Sequence, residues 1–289
     1  MTSPATFLVV GDIHNFWRPE DVSFIEQGSQ DLTLFVGDLG DEDLGMVREV
    51  AGLKAPKAVI LGNHDAWQSF SRRRPTRTLE DSVEILGDDH IAYEVREMPQ
   101  AGMSIVGARP FSWGGKSMRS PEVYDQFYGV GDIEASAQKI VQAAQRASAR
   151  DLLILAHNGP TGLGKQSHSI YGKDFGRHPS GDWGDRDLEL AIDEIRNFGL
   201  RVRCVIAGHM HHRLLNPKGA SRVRFMTKDG VLYVNPAVVP RIKESGKGER
   251  WAYYLRMSCC AGDVVDLEEI WVDDQGEIRE VVVPEIMET

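Results

Sequence analysis

The stretch Ala-Thr-Phe-Leu-Val-Val-Gly-Asp-Ile-His at residues 5–14 sets the pattern for the first third of the chain. A short apolar run ends at a glycine, and an aspartate and a histidine follow it. Apolar runs of this length, bounded by a turn signal, are typical of buried β-strands. The arrangement recurs twice, since apolar runs over 32–36 and 58–61 are followed by Gly37-Asp38 and by Gly62-Asn63-His64-Asp65.

Amphipathic segments over 22–27 and 44–53 separate the three apolar runs, which predicts the order strand, helix, strand, helix, strand. In open sheets of this kind, ligands bind where the carboxyl ends of the strands converge. Asp12, Asp38 and Asn63 each come just after such an end. We therefore expect these three side chains to lie close together.

The second half of the chain places histidines at the same kind of position. Predicted strands over 152–156 and 202–207 lead directly to His157 and to Gly208-His209-Met210-His211. The remaining predicted elements are helices over 133–147 and 186–197, and strands over 91–95, 103–106, 223–226, 231–234, 252–257, 264–272 and 278–283. A second sheet packed against the first would account for both halves.

Length and composition favour one domain, since 289 residues with 42% hydrophobic content can bury a single large core. We expect the domain to span residues 1–289, with elaborations around 67–131 and 158–185. The second of these segments is rich in glycine and lacks periodicity, as binding loops and lids often do. It begins directly after His157, so we expect it to border the functional site.

Charge and cysteine content restrict the partners. A formal net charge of -10 argues against duplex nucleic acid and favours a small phosphorylated substrate. Three cysteines without paired spacing predict a cytoplasmic protein. The first apolar run, over 7–10, is too short for a secretion signal or a membrane span, so no membrane association is expected.

The chemistry of the motifs points to metal ions. Carboxylates that converge in one cleft repel each other, and burying an unpaired charge is costly, whereas divalent cations remove both problems. The candidate ligands offer only oxygen and imidazole nitrogen, a set that suits manganese, iron or zinc. These candidates are Asp12, His14, Asp38, Asn63, His157, His209 and His211.

The motifs D-x-H, GD, GNHD, a single H and GHxH occur in this order from Asp12 to His211. In this they resemble the pattern of the calcineurin-like metallophosphoesterase superfamily. The resemblance implies a four-layer α/β/β/α sandwich with two central mixed β-sheets, which agrees with the predicted strands.

The resemblance also implies roles for individual residues. Asp38 would bridge two metal ions, a metal-bound hydroxide would attack phosphorus, and His64 would protonate the leaving oxygen. We expect Asp65 to orient His64 from behind. The remaining ligands would divide into Asp12, His14 and His211 for one metal and Asn63, His157 and His209 for the other.

Two differences from the motifs of Ser/Thr phosphoprotein phosphatases narrow the choice of subfamily. The second motif reads Gly37-Asp38-Leu39-Gly40-Asp41 and lacks the arginine of the GDxVDRG motif in Ser/Thr phosphoprotein phosphatases, and Asp65 stands where they have glutamate. The chain is thus closer to the cyclic-nucleotide phosphodiesterase-like and small phosphatase branches. Outside the motifs, Arg109 is a candidate contact for a substrate phosphate, with an ion-paired or solvated role equally open.

The sequence therefore predicts a metal-dependent phosphoesterase that acts on phosphomonoesters or phosphodiesters, with nucleotide-like small molecules ahead of phosphoproteins. A non-catalytic interaction scaffold on the same fold is one alternative. A nuclease is another, although the acidic net charge argues against it. The choice between monoester and diester, the identity of the metals and the oligomeric state stay open at this point.

Overall fold

Two mixed β-sheets and their flanking helices make up the computed structural model, which describes residues 4–246 and 248–288. The α-helices are α1 (Pro19–Gln27), α2 (Leu44–Ala51), α3 (Trp67–Arg72), α4 (Arg77–Leu86), α5 (Pro121–Tyr128), α6 (Ile133–Gln145) and α7 (Arg186–Asn197). The strands are β1 (Ala5–Val10), β2 (Leu32–Phe35), β3 (Lys57–Val59), β4 (Val95–Met98), β5 (Met103–Gly107), β6 (Asp151–Ala156), β7 (Arg201–Ala207), β8 (Phe225–Lys228), β9 (Val231–Val234), β10 (Ile242–Glu244), β11 (Arg250–Cys260), β12 (Asp263–Val272), β13 (Ile278–Val282) and β14 (Met287–Glu288).

The first sheet has the strand order β13-β12-β11-β1-β2-β3, and β10 pairs with β11. Strands β1, β2 and β3 are parallel, with Val9 opposite Leu34 and Leu34 opposite Ala58. Strand β11 runs antiparallel to β1. The predicted succession of strands and helices in the first third is therefore present, and it directs three carboxyl ends to the same edge.

The second sheet has the order β14-β8-β9-β7-β6-β5-β4. Strands β5, β6, β7 and β9 are parallel, so β6 and β7 also end at one edge. Helices α6 and α7 pack on each other and on this sheet. The predicted α/β sandwich with two mixed sheets is confirmed.

Burial explains why these runs form strands. Every residue of β2 and of β6 is buried, as expected for parallel strands that are covered on both faces. The helices have one apolar stripe each, and in α7 the stripe consists of Leu188, Ala191, Ile192 and Ile195. The core lies between and outside the two sheets, which leaves the strand ends free to carry polar groups.

The segment 67–131 differs most from expectation. The strand predicted over 91–95 is wrong, because Tyr93 has a positive φ of 60° and β4 begins only at Val95. The segment contains α3, α4 and α5, which were not predicted, and it supplies β4 and β5 to the second sheet.

Residues 158–185, all of which the structure describes, contain no helix or strand and are held by isolated bridges such as Gly172–Asp182 and Pro160–Asp185.

Within the described ranges, none of the helices combines the length and the apolar character needed to cross a membrane.

Candidate metal centre

The seven candidate ligands all lie just beyond the carboxyl ends of five parallel strands. Three of these strands belong to the first sheet and two to the second, so both sheets contribute to one site. The ligands are Asp12 and His14 after β1, Asp38 after β2, Asn63 after β3, His157 after β6, and His209 and His211 after β7.

One group of ligand atoms is formed by Asp12, His14 and His211. The Nε2 atoms of His14 and His211 are 3.1 Å apart. His211 Nε2 lies 3.5 Å from Asp12 Oδ2, and His14 Nε2 lies 3.5 Å from Asp38 Oδ2. Asp38 thus touches this group through one of its two oxygens.

A second group is centred on Asn63. Its Oδ1 atom lies 2.8 Å from His157 Nε2 and 2.8 Å from His209 Nδ1. The other oxygen of Asp38, Oδ1, lies 3.4 Å from His157 Nε2. Asp38 therefore stands between the two groups, and each of its oxygens faces one of them.

The spacing of these atoms fits metal coordination. Bonds of about 2.0–2.2 Å to imidazole nitrogen and carboxylate oxygen place neighbouring ligand atoms roughly 2.8–3.6 Å apart in octahedral or tetrahedral geometry. The separations within both groups fall in this range.

The charges in the site also call for a cation. Burial raises the pKa of Asp38 well above its usual range, and the negative charge of Asp12 raises it further. Burial lowers the pKa of His157 to about 4 and that of His209 well below its usual value, so both imidazoles are neutral, the form that binds metals. Among the described residues, no lysine or arginine pairs with either carboxylate.

The backbone at three candidate ligands adopts the left-handed region that favours glycine. His14, Asp38 and His209 have φ values of 47°, 50° and 65°. Non-glycine residues in this region are uncommon and persist where the surroundings fix them. Here the carbonyl of Asp38 accepts hydrogen bonds from the amides of Ile13 and His14, at 2.9 and 2.8 Å. Three of the eleven described non-glycine residues with a positive φ are thus candidate ligands.

Two motif glycines are required by close contacts rather than by turn geometry. A β-carbon on Gly62 would lie 2.2 Å from Oδ1 of Asp38, and one on Gly208 would lie 2.1 Å from Oδ1 of Asp12. Both distances are far below van der Waals contact. The glycines of the GNHD and GHxH motifs therefore make room for carboxylates that follow other strands of the site.

His64 lies at the edge of the site, with its ring centroid 4.6 Å from that of His14. Its Nδ1 is 2.5 Å from Oδ1 of Asp41, and its backbone amide donates to Asp38 Oδ1 at 2.8 Å. About 30% of the side chain is exposed. This histidine is accessible from solvent, held by a carboxylate and adjacent to both ligand groups.

The expectation that Asp65 orients His64 is wrong. Its carboxylate accepts hydrogen bonds from the backbone amides of Leu39, Gly40 and Gly62, at 2.9, 3.1 and 2.7 Å. Burial raises its pKa to about 7 although these amides lower it. Asp65 therefore joins the GD loop to the GNHD loop.

The assignment of Arg109 to substrate binding is also wrong. Only 3% of the residue is exposed. Its guanidinium forms ion pairs with Asp185, at 2.9 Å, and with Asp187 at the start of α7, at 2.7 Å, and it donates to the Tyr124 hydroxyl. An isolated buried charge is costly, so the arginine is committed to these carboxylates and cannot reach a phosphate.

The structure brings further residues to the site that the sequence had not suggested. Asp41 lies three residues after Asp38, in a motif that had already been recognised. Trp67 lies three residues after His64, and its ring is 4.9 Å from the His64 imidazole. The position of Asp41 within the motif was a usable signal, whereas nothing in the local sequence marked Trp67.

Comparison with known families agrees with this geometry. The family model described as calcineurin-like phosphoesterase matches residues 5–213. That range includes every candidate ligand, from Asp12 after β1 to His211 after β7. The chain belongs to the calcineurin-like phosphoesterase family. Membership supports hydrolase chemistry and metal binding at the clustered side chains, without naming the ester or the metals.

Solved structures extend this likeness at low sequence identity. One covers 97% of this chain and 99% of its own, with a TM-score of 0.52 and 11% identity, which shows the shared fold. TT1561 of Thermus thermophilus has a TM-score of 0.49 and 10% identity, over 97% of this chain and 99% of that one. Vps29 of Entamoeba histolytica, complexed with zinc, has a TM-score of 0.38 and 14% identity, over 96% and 98%. No curated protein matched the chain.

Proposed function

We propose that this family member is a metal-dependent phosphoesterase that hydrolyses phosphomonoesters or phosphodiesters of small, nucleotide-like molecules. The observation that carries the proposal is Asp38, whose two carboxylate oxygens face two separate groups of ligand atoms. The donor set suits manganese, iron or zinc.

Two ions held by these ligands would supply Lewis acidity, neutralising phosphoryl charge and lowering the pKa of water. The protein's part is to hold the ligands in one arrangement. Asp65 ties two of the loops together through backbone amides. Burial keeps His157 and His209 neutral and therefore ready to bind metal.

His64 is the proposed proton donor to the leaving oxygen. Its Nδ1 is paired with Asp41, which leaves Nε2 to hold the proton that is transferred. A carboxylate behind an imidazole fixes the ring orientation and stabilises the protonated form. His64 also lies beside His14, and this position puts the proton at the edge of the site from which a leaving group would depart.

The acidic net charge supports a small substrate over duplex nucleic acid. The three free cysteines, Cys204, Cys259 and Cys260, support a reducing compartment, and we propose the cytoplasm.

The test uses chelator-stripped protein restored separately with manganese, iron(II), zinc or magnesium. Turnover of p-nitrophenyl phosphate is compared with that of bis-p-nitrophenyl phosphate. We expect Asp38→Asn and His209→Ala to lose both bound metal and activity. His64→Ala should retain metal while its rate falls by roughly 10²- to 10⁴-fold, the usual contribution of a general acid.

Metal content and turnover together separate the alternatives. Preference for the monoester would identify a phosphatase, and preference for the diester a phosphodiesterase. Protein that binds metal but turns over neither ester, nor any nucleotide, would contradict the proposal and favour an interaction scaffold. Unchanged activity of His64→Ala toward an unactivated ester would remove His64 as the acid.

A further inference from the structure

A large aromatic side chain lies exposed beside the proposed proton donor. Trp67 is 44% exposed, and its ring centroid lies 4.9 Å from that of His64 at an interplanar angle of 37°. Trp67 is the first residue of α3, and the buried residues of this helix are Ser69 and Phe70. The helix is therefore anchored without the Trp67 ring, which is left open to solvent next to the site.

A second tryptophan extends this surface. The ring centroid of Trp113 lies 5.0 Å from that of Trp67, with an interplanar angle of 44°. On Trp113 lies the guanidinium of Arg119, 3.9 Å from the ring centroid. Arg119 is exposed, and no carboxylate of the described residues lies within ion-pair range of it. Trp113 itself is half-buried and Arg119 lies over its ring, so the indole open to solvent is that of Trp67, with an uncompensated positive charge beyond it.

The surface is held in place by the segments around it. The indole nitrogen of Trp183, from the segment 158–185, donates to the carbonyl of Trp113 at 2.8 Å. The ring centroid of Phe70 lies 6.2 Å from that of Trp113, and Phe70 is buried. Single exposed apolar residues are common and need no explanation. Trp67 is different, because it contacts His64 on one side and the supported indole of Trp113 on the other, so its position is fixed.

We propose that the exposed indole of Trp67, supported by its contact with Trp113, forms a stacking surface for a planar group of the substrate, so that the preferred substrates are phosphoesters of nucleosides. This inference rests on the proposed function, since it assigns the surface to the same site. A leaving group that takes its proton from His64 would depart on the side of the site where Trp67 lies. Any of the nucleobases can stack on an indole, because each has a π-face. Arg119 adds a cation that favours aromatic or anionic groups.

The experiment compares adenosine 5′-monophosphate with ribose 5-phosphate on the manganese-loaded full chain. The two esters have the same scissile bond and differ only in the base. We expect kcat/KM for the nucleotide to exceed that for the sugar phosphate by about 10- to 100-fold, the range for one stacked base. Trp67→Ala should bring this ratio to within about 3-fold of one, and Trp67→Phe should restore most of it.

The ratio cancels any effect of the substitutions on His64, because both esters depend on it equally. Phe198→Ala is the matched control. Phe198 is 53% exposed and follows α7 just before β7 begins, at the opposite end of that strand from the ligands. Its removal should leave the ratio unchanged.

A binding measurement separates failure of this inference from failure of the proposed function. Adenosine and ribose, which carry no phosphoester, are titrated by NMR into the chelator-stripped chain. Adenosine should bind at least 10-fold more tightly than ribose, and Trp67→Ala should abolish the difference. Equal binding of the two, or unchanged binding in Trp67→Ala, would overturn the stacking surface whether or not any ester is hydrolysed. Binding through Trp67 without turnover of any ester would instead contradict only the proposed phosphoesterase activity.

Discussion

Asp41 and Asp65 show how closely related carboxylates in one site take different tasks. Asp41 is 69% exposed at its side chain and pairs with the imidazole of His64. Asp65 is buried and accepts three backbone amides. A buried carboxylate surrounded by amides of its own loops acts on the backbone, whereas an exposed one can respond to charge that develops on a catalytic group.

Replacing Asp41 by asparagine should lower kcat by about 10- to 100-fold without loss of metal. The amide preserves the shape of the side chain but removes the negative charge beside the His64 imidazole. The measurement is steady-state turnover of an ester with a poor leaving group, together with metal content by atomic absorption. The control is Asp43→Asn in the same loop, where Asp43 caps α2 and asparagine caps equally well.

Two results would contradict this role of Asp41. Loss of metal in Asp41→Asn would make the residue a ligand rather than a partner of His64. A kcat within a factor of two of the unchanged chain would mean that the short contact with His64 carries no catalytic weight.

The candidate ligands were predictable because each is set by local sequence, a strand end followed by a polar residue. Arg109 was not. Its partners Asp185 and Asp187 lie more than seventy residues further along the chain, and only the packing of α7 brings them to it. The contact of Trp67 with Trp113 has the same origin, since no local pattern encodes a contact between a helix start and a distant loop.

At the level of elements, His90 connects the first sheet to α5. Its Nδ1 donates to the carbonyl of Val59 in β3 at 3.2 Å, and its Nε2 accepts from the Tyr128 hydroxyl at 3.0 Å. Burial lowers the pKa of His90 to about 4. The neutral imidazole is therefore part of the joint between these two elements.

This joint should weaken in acid. The unfolded chain protonates His90 below about pH 6.5, while the folded chain resists protonation down to pH 4, so the unfolded state binds more protons and stability falls as the pH falls through this window. Between pH 7.5 and 5, His90 should cost about 2 kcal/mol of unfolding free energy, from 1.36 kcal/mol per pKa unit. Urea unfolding of metal-stripped protein at the two pH values measures this loss.

The variant His90→Asn isolates the contribution of this residue. Asparagine keeps a donor for the Val59 carbonyl but has no group that titrates. The drop in unfolding free energy from pH 7.5 to 5 should therefore be about 2 kcal/mol smaller in the variant than in the unchanged chain. Equal drops in the two proteins would show that His90 is already protonated in the folded state.

Other elements were partly readable from sequence. Helix α4 carries a start signal in Thr76, whose side chain accepts from the amide of Leu79, and apolar residues follow at helical spacing. Helix α5 has Pro121 in its first turn and ends at Gly129. Both signals are present in the sequence, but the composition of the segment 67–131 is irregular and hides the helical periodicity. The strand over 91–95 was predicted wrongly for a different reason. Its apolar residues are buried in a turn, and a buried turn can have the same composition as a strand.

At the scale of the whole molecule, the assignment of strands to sheets could not be read from sequence. Strand β11 pairs with β1, with Phe7 opposite Met257, whereas β8 and β9 join the second sheet. All of these are short apolar runs with similar turns, and their partners are distant in sequence. The motif pattern of the superfamily predicts the two-sheet sandwich, whereas the pairing of individual strands is known only from the structure.

The placement of ligands on both sheets predicts that metal stabilises the whole fold. Four candidate ligands follow strands of the first sheet, and His157, His209 and His211 follow strands of the second. Metal at 100 times its Kd adds about 2.7 kcal/mol to the folded state. With roughly 2–4 °C per kcal/mol for domains of this class, the chelator should lower Tm by about 5–10 °C, measured by calorimetry.

Two variants show whether this shift comes from the proposed site. His209→Ala removes a ligand from the second sheet, so its Tm should respond little to chelator. His178→Ala, which changes an exposed histidine of the segment 158–185, should keep the full response. A chelator-dependent shift that persists in His209→Ala would place the stabilising metal elsewhere. The absence of any shift in the unchanged chain, at saturating metal, would mean that the two sheets are not joined through ions at their strand ends.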